Sequence, residues 1–152
     1  MKLLKDLVGK PSPERMHQAL VFLRVGIGLL TIPHGYPKLI GDWEQLGITF
    51  MYPLGITFLP AMWGFLGAVI EFFGGIALVL GLGTRIASSF LAAMMVVATA
   101  WHIVKGDSFM AYSFPLSLLV VFIVLAMIGS VGYSFDNYFA SRKVRRTRRK
   151  KA

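Results

Sequence analysis

The 152-residue chain contains no cysteine. That excludes disulfides, thiol nucleophiles, thiolate metal sites and cysteine-ligated iron–sulfur clusters, while saying nothing about redox compartment. Charge is also scarce, at 15% of residues, with seven Asp and Glu set against sixteen Lys and Arg. Ordinary soluble domains carry about 25% charged residues. With 56% apolar residues and a positive mean hydropathy, this composition excludes the usual soluble class and points to a single membrane-embedded domain. A flavin-binding fingerprint is lacking too. Electrons in any redox reaction would therefore pass directly between bound molecules or arrive from a partner protein.

What is present is four long apolar runs, and these predict an all-α integral membrane four-helix bundle. The first helix is expected at about residues 17–33, interrupted only by Arg24, with Ser12, Pro13 and Glu14 as its start and Pro33, His34, Gly35 and Pro37 as its stop. It spans roughly 25 Å, and no small-x-small cleavage site follows it, so it reads as a retained helix. The others are expected at about residues 61–80, 85–104 and 115–131, the second and third joined by the tight turn Gly81-Leu82-Gly83-Thr84. Small residues (Gly64, Gly67, Ala68, Gly74, Gly75 and Ala77, then Ala87, Ala92, Ala93 and Ala98) let helix backbones approach in lipid.

Between the first two spans, Trp43, Phe50, Tyr52 and Phe58 among glycines and prolines suggest an interfacial loop with aromatic anchors. Within it Leu46-Gly47-Ile48-Thr49-Phe50 recurs as Leu54-Gly55-Ile56-Thr57-Phe58, a local duplication in what reads as a lid. The organisation expected is a cytoplasmic segment over residues 1–16, the bundle over 17–136 and a basic tail over 137–152.

The basic residues set the orientation. Lys2, Lys5, Lys10 and Arg15 precede the first span, Arg85 sits at the second turn, and eight basic residues lie between Arg142 and Lys151. The opposite loops hold only Lys38 and Lys105, so the positive-inside rule places both termini in the cytoplasm. The tail is expected to touch anionic lipid. Nucleic-acid binding is not expected, because no stacking or base-reading groups accompany the charge.

Polar groups that lipid penalises are the candidates for function. Glu71 falls near the middle of the second span and Arg24 within the first, and a charge at the bilayer centre costs about 2.5 to 3.5 kcal/mol. One reading makes them a structural ion pair joining the two helices. Side chains lean toward their helix N-terminus, however, so on antiparallel helices Arg24 leans inward and Glu71 outward. By the same rule His34 and His102 lean back into the membrane toward Glu71. Together with Lys38 they are expected to surround one cavity under the aromatic loop, able to exchange protons with a quinone or another polar-headed molecule. Bis-histidine haem ligation is disfavoured because nothing fixes the rotation of the two histidines. One glutamate and two separated histidines also lack the helical ligand spacing of a metal site.

His34-Gly35-Tyr36-Pro37-Lys38 after an arginine-bearing span, Glu71-Phe72-Phe73-Gly74-Gly75 leading to Gly81-Leu82-Gly83-Thr84-Arg85, and the closing Gly132-Tyr133-Ser134-Phe135-Asp136 resemble the DoxX family of small bacterial membrane proteins. The resemblance runs from about Ala19 to Asp136. It implies a four-helix fold in the bacterial cytoplasmic (inner) membrane and an association with redox chemistry. Some related proteins are similar to a subunit of thiosulfate:quinone oxidoreductase, usually beside a partner.

The expectation is therefore a quinone- or amphiphile-binding membrane subunit, with an oxidoreductase role left open. Glu71 and His102 would handle protons, His34 and Lys38 would orient the head group, and Arg24 would tune Glu71. The rival reading is a non-catalytic membrane anchor or assembly factor, and a carrier acting as a homo-oligomer is a third. Ser134 and Asp136 are expected to cap the last helix.

Overall fold

The computed structural model describes residue 9 and residues 12–141. The segment 1–8, residues 10 and 11, and the basic tail from 142 onward lie outside the described residues, and with them most of the charge used to assign orientation.

Among the described residues the longer α-helices are, in order, α1 (Pro13–Ile40), α2 (Trp43–Met51), α3 (Pro60–Leu80), α4 (Thr84–Val104) and α5 (Phe109–Ile128), with a 3-10 turn at Tyr52–Leu54 and a short helical segment over residues 135–141. All but α2 are long and apolar enough to cross a membrane. The chain is thus an all-α protein with four membrane-spanning helices.

Two prolines start helices, Pro13 as expected. Pro13 opens α1 behind Ser12, whose hydroxyl accepts from the Arg15 amide, and Pro60 opens α3. Three others do not behave as boundaries. α1 runs through Pro33 and Pro37 to Ile40, and α5 begins six residues before Pro115. The predicted ends at 33 and 115 are therefore corrected: a membrane helix tolerates an interior proline, because neighbouring helices and side chains compensate for the missing amide.

The continuation of α1 matters for function. It puts Thr31, His34 and Lys38 on one helical face at spacings of three and four.

The expected interfacial loop is largely helical. Asp42 caps α2 by accepting from the Gln45 amide, and α2 packs onto α3 at two glycines. A Cβ on Gly47 would lie 1.9 Å from the Pro60 carbonyl oxygen, and one on Gly64 would lie 1.9 Å from that of Trp43.

α1 is held against α3 in the same way: Gly28 faces Gly75, and a Cβ on Gly35 would meet the Phe72 amide nitrogen at 2.4 Å. Helix α3 packs on α4 and α4 on α5, but α1 and α5 scarcely touch. The core, formed by Leu78, Leu91, Met95, Phe122 and Leu125, fills the bundle below its polar centre.

Candidate functional site

Close approach of α1 and α3 at Gly35 sets the central contact. The Lys38 ammonium donates to both carboxylate oxygens of Glu71, each at 2.6 Å. Glu71 is almost fully buried, so its charge is offset where lipid and protein would otherwise penalise it. Lys38 also lies 5.7 Å from the centre of the Phe50 ring, which α2 supplies from above.

The pair borders a cavity of about 210 Å³. His34 and Thr31 reach it from α1, His102 from α4, and Phe114 and Phe122 close it from α5. The structure therefore brings Glu71, His102, His34 and Lys38 around one space. A smaller chamber of about 40 Å³, beside Trp63, Gly64 and Gly67, lies on the other side of the same ion pair.

His102 is fixed by a residue that sequence reasoning missed. Its Nδ1 lies 2.7 Å from Oδ2 of Asp107, in the turn after α4, and a carboxylate held there selects the ring tautomer and orientation. The spacing of five residues across a Gly-Asp turn gave only a weak signal. Trp101, next to it, donates its indole N–H to the Thr49 carbonyl and packs on Phe50, tying α4 to α2. Also missed were Gly28 and Gly35, whose role appears only once α3 lies against them.

Arg24 does not join this cluster, so the reading that pairs it with Glu71, and the tuning role given to it, are corrected. Its guanidinium is buried beside Gly81, in the turn between α3 and α4, and donates through Nη2 to the Tyr133 carbonyl at 2.8 Å. The segment after α5 folds back there, and Asp136 serves the start of α4 rather than the last helix. Its carboxylate accepts from the amides of Gly83 and Thr84 and from the Ser130 hydroxyl. Burial alone would raise the Asp136 pKa, but these three hydrogen bonds and the nearby Arg24 outweigh it and hold the carboxyl below its ordinary value. Ser134 likewise serves another element than the last spanning helix: it caps the start of the helical segment 135–141, by accepting from the Asn137 amide.

Among the described residues no group of three or more histidines and carboxylates is placed to hold a metal ion. The lining of the larger cavity mixes polar groups with aromatic and aliphatic walls. It offers an ammonium and two imidazoles as hydrogen-bonding groups, a carboxylate beside them and aromatic walls.

Four membrane-spanning helices around a mainly apolar cavity that carries a few charged and imidazole groups define a small multi-pass membrane protein. The chain belongs to the DoxX family, whose model matches residues 19–104 and whose members are small proteins typically found in the bacterial inner membrane. The match takes in α2, α3, α4 and all but the first turns of α1, and with them Lys38, Glu71, His34 and His102. It stops short of Asp107, α5 and the closing motif around Asp136. No curated protein and no solved structure gives a significant match.

Proposed function

We propose that this protein binds a quinone, or an amphiphile with a similar polar head, in the outer half of the bundle, as a membrane subunit linked to redox chemistry. The observation that carries the reading is the Lys38–Glu71 ion pair set in a cavity with two histidines. An ion pair kept for packing alone needs no cavity beside it.

Lys38 and His34 hold the head group by donating hydrogen bonds to its oxygens. Glu71 and His102 are the proton-exchanging groups, with Asp107 positioning the His102 ring. A bound quinone would supply a two-electron, two-proton couple, and its electrons come from a second bound molecule or a partner protein. The positive-inside distribution supports an orientation with both termini cytoplasmic. In that orientation the cavity opens in the outer leaflet, while Arg24 and Asp136 lie at the inner face. The basic tail is then available to anionic lipid or a cytoplasmic partner, and anchoring such a partner is the alternative role.

The test is extraction and mass spectrometry of small molecules that co-purify with the full chain in mild detergent, alongside Glu71→Gln. Quinone retained by the native chain and lost by a folded variant is the expected result. Equal retention, or none in either, favours the anchoring role.

A further inference from the structure

The cavity is small for a complete amphiphile. Ligand pockets that engulf drug-sized molecules run from roughly 300 to 1,000 Å³, and about 210 Å³ accommodates a single substituted ring without its tail. The tail must therefore leave the bundle, and the packing leaves one seam where it can do so.

Helix α1 packs on α3, α3 on α4 and α4 on α5, but α1 and α5 scarcely touch. The cavity reaches this seam: Ile27 and Leu30 line it from α1, Leu118 and Phe114 from α5. Leu30 and Phe114 are 66% and 58% exposed, each on a helix long and apolar enough to cross a membrane.

The two ends of the seam differ. At the inner end the chain after α5 crosses back to α1. Arg24 donates to the Tyr133 carbonyl, and Gly132 sits beside His17 and Val21. At the outer end the bridge is a tilted ring contact between His34 and Phe114, with centroids 6.1 Å apart. A charge-assisted hydrogen bond from the buried Arg24 holds the inner end, whereas two exposed rings part by side-chain rotation, which is fast on exposed surfaces.

We propose that the seam between α1 and α5 is a lateral portal: ligand enters from the bilayer past His34 and Phe114, and its apolar tail lies along Ile27, Leu30 and Leu118. The inference rests on the head-group site described above. It adds that the substrate is a long-chain molecule dissolved in the membrane, not a water-borne one. Arg24 then acts as the pin that keeps the inner end closed while the outer end opens.

The test uses the full chain in lipid nanodiscs and a benzoquinone carrying a decyl tail with a terminal diazirine. After irradiation, adducts are mapped by mass spectrometry with and without excess untagged decylbenzoquinone. Adducts on Ile27, Leu30 and Leu118 that disappear with competitor are expected. Competable adducts on residues 42–59 instead would overturn the portal, placing entry at the aqueous face, while leaving the head-group site standing. Seam adducts indifferent to competitor would mark ordinary annular contact and also overturn it. Absence of competable adducts anywhere would remove the head-group reading along with the portal. Because the native chain has no cysteine, Leu30→Cys supplies an independent check. Disulfide-linked dimers on oxidation would show that a second copy covers the seam and would overturn the proposal, whereas a monomer labelled by a membrane-permeant maleimide supports it.

Discussion

The Lys38 ammonium lies 2.6 Å from both carboxylate oxygens of Glu71, across thirty-three residues of sequence. Lys38 is on α1 beyond two prolines and Glu71 is midway along α3, so the contact depends on α1 staying helical to its end. It also makes stability and ligand binding separable by mutation.

Lys38→Met leaves Glu71 as a buried carboxylate without its cation and is expected to cost about 3 kcal/mol. The double variant Lys38→Met/Glu71→Leu removes both charges and should recover much of that loss. Thermal unfolding in detergent reads the stability, and quinone retention should be lost in both. A double variant no more stable than the single one would show that the pair is not the source of the cost.

Gly35→Ala places a methyl group against the Phe72 backbone and should destabilise by about 1 to 3 kcal/mol, with ligand retention falling as α1 is pushed off α3. On the same helix nothing lies within 4 Å of a Cβ on Gly26. Gly26→Ala is therefore expected to be neutral or to raise the melting temperature, since alanine is favoured in helices by up to about 1 kcal/mol. Equal effects from both substitutions would contradict the close approach.

Arg24→Gln removes a charge-assisted hydrogen bond worth about 1.5 to 3 kcal/mol and should lower the melting temperature. A folded Arg24→Gln chain should still retain ligand at Glu71, because Arg24 donates to Tyr133 and does not line the cavity. Loss of ligand without loss of stability would restore a direct role for Arg24.

Asp136 makes stability fall in acid. Its folded pKa lies below the ordinary 3.8, so its contribution is fully present above that value and is lost as pH falls through the lower folded one. Asp136→Asn should therefore be less stable than the native chain by a constant amount between about pH 5 and pH 8, with the gap shrinking in more acidic solution. Melting curves extended from pH 8 to below about pH 4 check the sign, and a gap that widens in acid would refute it.

Much of the fold was legible because hydropathy is a local property. Twenty or so apolar residues demand a spanning helix whatever their neighbours are, and all four spans lie where the runs are. The directional lean of side chains likewise placed His34, His102 and Glu71 toward a common level. Partners were less legible. Arg24 and Glu71 were the two charges well inside the expected spans, yet Arg24 donates to Tyr133 and Glu71 pairs with Lys38.

The sequence by itself determined the number of spanning helices, their approximate positions and the polar residues gathered at one end of the bundle. Only tertiary structure decided which prolines end helices, which glycines let α1 meet α3, and whether one peptide folds one way or two. Leu46-Gly47-Ile48-Thr49-Phe50 is helical in α2, behind the Asp42 cap and with Gly47 against Pro60. The identical Leu54-Gly55-Ile56-Thr57-Phe58 leaves the helix at Gly55, which adopts a left-handed conformation with φ of 80°. Burial in lipid depends on what a segment is, whereas caps, close approaches and ion pairs depend on what the folded chain brings beside it.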